Sequence, residues 1–168
     1  DGALWVGVHF GSRGFGHKTA SAFLALAAGR AWDEHVGEGG MDAPPLVLPL
    51  SGPGSEVGQD YLEAMQLAGA VAYAGREWVV DRIVRGILQT EVNLRVHNYH
   101  NFAWRENHGP NQESYLVIRK GATPAFPGQR GFVGGTMGED AVILEGVDSE
   151  ASRAALYSTV HGAGRVMG

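Results

Sequence analysis

The 168 residues suffice for one domain with a sizeable core, and 44% hydrophobic against 18% charged residues marks a globular rather than a disordered chain. No run of about 18 apolar residues is present, and the N-terminus lacks the basic region and apolar core of a secretory signal, so neither an apolar membrane-spanning helix nor a leader is expected among these residues. The net charge of −5 excludes a broad basic footprint for nucleic acid and leaves only a local one, for which Arg119, Lys120, Arg130 and Arg165 are the candidates.

In chain order, residues 4–10 (LWVGVHF) are β-branched and aromatic and predict a buried strand. A glycine-rich turn, GSRGFG, follows at 11–16. A helix is predicted from about 17 to 32, with Phe23, Leu24, Ala27 and Ala28 on its inner face. Residues 37–58 are rich in glycine and proline and predict a long connection with at most one short extended piece at 46–50. The strongest helical period runs from 56 to 88, where Tyr61, Met65, Ala68, Ala72, Arg76, Val79, Ile83 and Ile87 recur at three- and four-residue steps. Gly69, Gly75 and Gly86 allow close packing or a bend within it. Strands are predicted at 93–99, 115–118 and 141–144. Helices and strands mix without regular alternation, which predicts an α+β or irregular α/β class. The chain enters an apolar segment at once and stops in a loop, so it reads as part of a single domain cut at both ends.

Cysteine is absent, which excludes disulfides and thiolate metal sites in these residues and fits a cytoplasmic setting. Seven histidines become the main soft ligands. The 26 glycines exceed the usual share of about 7%; they suit a loop-rich domain, and their clustering beside His and Arg better suits a ligand site. His9 at a predicted strand end, then the glycine turn with Arg13, then a helix start make an arrangement that binds anions through free N–H groups and the helix dipole; it reads equally as a capping turn with an incidental His. The spacing is not that of a dinucleotide fingerprint. His100 and Asn101 fall at a predicted strand-to-helix junction, a common ligand position, though a lone His there is more often a hydrogen-bonded surface residue. Arg119 and Lys120 before a stiff proline loop suit a phosphate or a nucleic-acid backbone, or form a solvated positive turn. Gly134, Gly135, Thr136 and Met137 form a turn able to cradle an anion or merely to connect. His161, followed by Gly162, Ala163 and Gly164, leaves room for a bulky ligand against an imidazole that can act as base, metal ligand or nucleophile toward phosphorus.

Together and in this order, VHFGSRGFGHK (8–18), HNFAWRENH (100–108), VIRKGATPAFPG (117–128), GGTMG (134–138) and HGAGRVM (161–167) resemble the RtcB family of RNA-splicing ligases. The resemblance covers nearly the whole chain and includes a central helix around residues 61–76. It implies an α+β catalytic core, irregular and with glycine-rich loops, of which residues 1–168 are part. It also implies a GTP- and manganese-dependent enzyme that joins an RNA end bearing a 2′,3′-cyclic phosphate or 3′-phosphate to a 5′-hydroxyl through a histidine–GMP intermediate, with an activating protein partner left open. Carried onto matching positions, His161 is the implied nucleophile. His9 and His100 are implied ligands in a two-manganese site. His100, Asn101, Gly134, Gly135, Thr136, Met137, Gly162, Ala163 and Gly164 are implied nucleotide contacts, and Arg13, Arg119 and Lys120 implied phosphate or RNA contacts. His35, His97 and His108 are structural or exposed. The family's Asp, Cys and Gly-Asn-His metal ligands are missing here, Ala141 stands where the family carries a nucleotide-contacting Ser, and the family's later Lys is not among these residues. The residues present are therefore expected to bind metal weakly and to ligate poorly or not at all by themselves. A catalytically incompetent nucleotide- or RNA-binding homologue, or another metal-dependent phosphotransfer or hydrolytic enzyme on the same scaffold, are the other readings.

Overall fold

The structure is a computed structural model that describes residues 2–36, 46–136 and 138–162. Helices and short antiparallel strands mix as an α+β fold, and the expected single domain contains two compact units, Asp1–Glu91 and Val92–Gly168.

The first unit is helical. Helix α1 spans Gly14–Ala27 and α2 spans Glu56–Asp81, continued by a π-helical turn at Arg82–Ile87 that closes with the Leu88 N–H on the Ile83 carbonyl at 2.9 Å. The α2 periodicity is thus realised over nearly its predicted length. Helix α1 begins three residues earlier than predicted, because the Ser12 hydroxyl accepts from the Gly16 N–H at 3.1 Å and satisfies one of the first-turn donors. It ends five residues earlier than predicted. Gly29 takes φ +71°, its N–H bonds the Leu26 carbonyl at 3.0 Å, and the Arg30 N–H bonds the Ala25 carbonyl at 2.9 Å. That pair of bonds around a left-handed glycine closes a helix C-terminus. The inner face is accordingly Ala22, Phe23 and Ala25, while Leu24 points outward. Phe23 is the hub of this core: its ring centroid lies 5.2 Å from Trp32 and 5.1 Å from Tyr61, and Leu62, Ala68 and Ala72 of α2 are buried with it.

Residues 4–10 do not form the predicted strand. Their composition suits a pleated surface, but a strand exists only where a second one pairs with it. The segment is held instead at Phe10, whose carbonyl accepts from Arg76 Nη1 at 2.8 Å and whose ring faces Gly75, where a Cβ would come within 3.1 Å of it. Residues 46–50 likewise form no strand, and Gln59 of α2 donates its side-chain amide to the Leu50 carbonyl.

The second unit is built from three antiparallel strand pairs. Strands β1 (Asn101–His108) and β2 (Glu113–Lys120) form a hairpin in register Asn101↔Lys120 to His108↔Glu113. Strand β3 (Ala122–Pro124) pairs with β6 (Ser158–Val160), and β4 (Arg130–Val133) pairs with β5 (Val142–Glu145). A five-residue helix α3 (Glu150–Ala154), capped by the Ser149 hydroxyl on the Ser152 N–H at 3.0 Å, precedes β6. The strands predicted at 115–118 and 141–144 are present within β2 and, one residue later, as β5. The strand predicted at 93–99 is not; pairing starts at Asn101. Residues 100–101 therefore open a strand rather than lying at a strand-to-helix junction. Among the described residues no helix is long and apolar enough to cross a membrane.

Candidate active site around His161

Three local features bring distant parts of the second unit to one place. The β1–β2 hairpin returns the chain beside its own start, so the Gly121 N–H lies 2.7 Å from the His100 carbonyl and 3.0 Å from Asn101 Oδ1. Strand β3 leaves from Gly121 and pairs with β6, with Ala122 opposite Val160, which delivers His161 to the same end. A parallel bridge between Gly134 and Gly162 then seats the glycine turn beside the histidine. The imidazoles of His100 and His161 end with centroids 4.7 Å apart, tilted by 41°. Both are half-buried.

Glycine is required at two points of this cluster. At Gly121, φ +68°, an added Cβ would lie 3.3 Å from His161 Cδ2 and 3.4 Å from its Nε2. At Gly162, φ +125°, a Cβ would overlap the Gly134 carbonyl oxygen and lie 2.7 Å from its nitrogen. Bare backbone thus faces the His161 ring at Gly121, and the residue after His161 packs directly against the Gly134 backbone.

The turn after β4 carries a different arrangement from the bare anion cradle. The Glu139 carboxylate accepts from the Thr136 N–H at 3.0 Å and from its hydroxyl at 2.5 Å. The Thr136 hydroxyl first, and its N–H second, hold the Glu139 carboxyl below its ordinary value. Those donors serve the protein's own carboxylate. Met137, Ala163 and Gly164, with Arg165, lie outside the described residues.

Arg119 and Lys120 part company. Lys120 is exposed. Arg119 is 3% exposed, and its guanidinium is committed inside the unit: Nη1 and Nη2 grip the Glu106 carboxylate at 2.7 and 2.9 Å, Nε donates to Ser158 Oγ at 2.8 Å, and Nη2 also donates to the Leu156 carbonyl at 2.8 Å. Its Cζ lies 5.0 Å from the centroid of the Trp104 ring. The structure places this side chain in a buried bonding network, away from the phosphate-contact position read from the sequence. Arg130 is paired with Glu145 at 3.4 Å. His108 is buried and shares the Glu106 carboxylate at 2.8 Å. His35 is exposed and His97 half-buried.

Sequence reasoning missed Asn98, Glu106, Gly121 and Ser158. Asn98 bonds the β4 backbone, accepting from the Phe132 N–H at 3.0 Å and donating to the Arg130 carbonyl at 3.5 Å, and so holds the strand that leads into Gly134. Glu106 had a legible signal: it has the same parity as Phe102 and Trp104 on β1, so a carboxylate falls on the apolar face and needs a buried partner.

Burial alone would raise the Glu106 carboxyl; the hydrogen bonds from Arg119 and His108, with their charges, outweigh it and hold the group below the usual glutamate range. A carboxyl depressed in the folded state stabilises above its unfolded value and loses that contribution as pH falls through its folded value. Glu106→Gln is therefore expected to lower Tm at pH 7 and to converge with wild type as pH drops below the ordinary glutamate range. Thermal melts of both proteins from pH 7 to pH 3 check this; a difference that stays constant with pH rejects it.

His9 and Arg13 belong to the first unit and are exposed, with Arg13 at φ 57° just before α1. Among the described residues, no group of three or more His, Asp or Glu side chains is arranged to hold a metal. Manganese favours several oxygen donors alongside imidazole, so His9 and His100 alone do not fit it.

A family profile described as tRNA-splicing ligase RtcB matches residues 1–168. The chain is 32% identical over 174 residues to the RNA-splicing ligase RtcB of Escherichia coli K12, covering 98% of this chain and 40% of that protein. It is 31% identical over 185 residues to the RNA-splicing ligase RtcB of Mycobacterium tuberculosis H37Rv, covering 99% and 41%. To the tRNA-splicing ligase RtcB of Thermococcus kodakarensis it is 32% identical over 190 residues, covering 99% and 38%. The chain thus spans about 40% of the length of these relatives.

Proposed function

Because the chain belongs to the RtcB family of tRNA-splicing ligases, we propose that it carries the nucleophile and part of the nucleotide site of an RNA ligase, with His161 as the guanylylated residue. The observation that carries this reading is that His100 and Gly121 lie against the half-buried His161 imidazole, while Asn101 bonds Gly121 and Gly134 bridges to the adjoining Gly162. In the proposed reaction, a neutral nitrogen of His161 attacks the α-phosphorus of GTP. A phosphorus–nitrogen bond forms, and the bond to the departing pyrophosphate breaks. The RNA 3′-phosphate next takes the GMP from His161. The 5′-hydroxyl of the second end then attacks the activated 3′-phosphorus and GMP leaves; a 2′,3′-cyclic phosphate enters after opening to the 3′-phosphate. His100 and Asn101 are the residues proposed to orient the guanylate, with Gly134, Gly135 and Gly162 as proposed backbone contacts to it. Manganese is proposed as the metal, with His100 as one donor among others. Lys120 and Arg13 are the proposed exposed contacts to RNA or nucleotide phosphates.

The full-length protein incubated with manganese and GTP labelled at the α-phosphate is expected to retain label after denaturation. The label should be acid-labile and alkali-stable, as a phosphoramidate is, and should map to the peptide holding His161. Label that maps to another residue, or an absence of label with active ligation, overturns the assignment. GTP binding without any labelling or ligation favours the second reading, a binding homologue, for which Ala141 in place of a nucleotide-contacting Ser is the supporting departure.

A further inference from the structure

We propose that Arg119 is the positioning residue for His161, acting through β6, an inference that rests on His161 being the nucleophile. Strand β6 has only three residues, so its own ladder fixes it weakly. The turn that feeds it is strained: Leu156 and Tyr157 stand consecutively at φ 50° and 48°, a left-handed conformation that costs L-residues about 1–2 kcal/mol each. Such a turn persists only where neighbours over-determine it. Two bonds do so from outside. Arg119 Nη2 holds the Leu156 carbonyl, and the Ala125 N–H holds the Tyr157 carbonyl at 2.6 Å. Arg119 Nε then fixes Ser158, the first residue of β6 and three residues before His161.

The guanidinium is itself immobilised. Glu106, backed by His108, grips it from β1, and Trp104 covers its face. Since β1 also begins beside His100, one rigid hairpin carries both the His100 end and the clamp on the His161 strand. Only a planar group with five donors can make all four contacts together; a lysine ammonium cannot bridge a carboxylate, a hydroxyl and a carbonyl in that fixed plane.

The test uses the full-length protein with Arg119→Lys and Ser158→Ala. The first breaks the clamp; the second removes one contact from it and keeps the fold if the first does not fold. Two readouts are taken. In guanylylation at saturating GTP, Arg119→Lys is expected to slow the rate about 100-fold and Ser158→Ala about fivefold, with GTP affinity unchanged within about twofold, since displacement of a reacting group by an ångström acts on the chemical step. In hydrogen–deuterium exchange, both variants are expected to exchange faster at residues 156–161 while the helices of the first unit are unchanged. Rate loss in step with a general fall in protection across the second unit means that Arg119 only stabilises the fold and overturns the proposal. Unchanged exchange at 156–161 overturns it as well. If wild type takes no label at all, the nucleophile reading fails, and the exchange result still decides whether Arg119 clamps this strand.

Discussion

His161→Ala in the full-length protein is expected to bind GTP and to lose covalent guanylylation to background. Removing the nucleophile from an enzyme that works through a covalent intermediate costs on the order of 10⁶ in rate. The ring is half-buried at the end of a short strand, and the backbone around it is held by the β3–β6 pairing and the Gly134–Gly162 bridge, neither of which uses the imidazole. The variant should therefore keep its fold, with far-ultraviolet circular dichroism and Tm close to wild type. His100→Ala supplies the contrast. It removes the neighbouring ring 4.7 Å away but leaves a nitrogen able to attack phosphorus, so labelling should fall and remain measurable. Label that persists on His161→Ala, or vanishes on His100→Ala alone, assigns the nucleophile elsewhere.

Gly162→Ala is expected to be as damaging to labelling as losing the alignment of the ring, about 100-fold or more, while also lowering Tm. Two effects add. The φ of +125° is a conformation that costs a side-chain-bearing residue about 1–3 kcal/mol. The new methyl would also meet the Gly134 carbonyl and nitrogen, which are backbone and cannot swing aside as a side chain would. The strand end and the glycine turn must separate, and the His161 ring and the turn after Gly134 then move apart. Gly128→Ala is the matched control: its φ is +77°, but open space surrounds it, so it carries the conformational cost without the collision. Equal losses in labelling for the two variants would show that the Gly134–Gly162 approach is not what matters.

The sequence by itself determined the family and much of the local structure. The three- and four-residue period of α2 and the apolar runs of β2 and β5 are local signals, set by which residues one face of a helix or strand must bury. The order of five glycine- and histidine-bearing motifs determined the family and singled out His161. Where local signals misled, a partner at long range decided. Residues 4–10 and 93–99 have strand composition but form no strand among the described residues, whereas residues 101–108 pair because the hairpin returns β2 to them. Helix α1 stopped at a left-handed glycine whose role depends on two backbone bonds rather than on the apolar pattern. Tertiary structure alone decided that Arg119 is buried while its neighbour Lys120 is exposed. The alternating strand puts them on opposite faces, and Glu106, 13 residues earlier in the chain, supplies the charge that makes burial of the guanidinium tolerable. It alone decided, too, that His100 and His161 meet. Their sixty-one-residue separation in the chain is closed by the β1–β2 return, the β3–β6 ladder and one glycine–glycine bridge, and pairing of that kind is fixed by which backbones find each other in space.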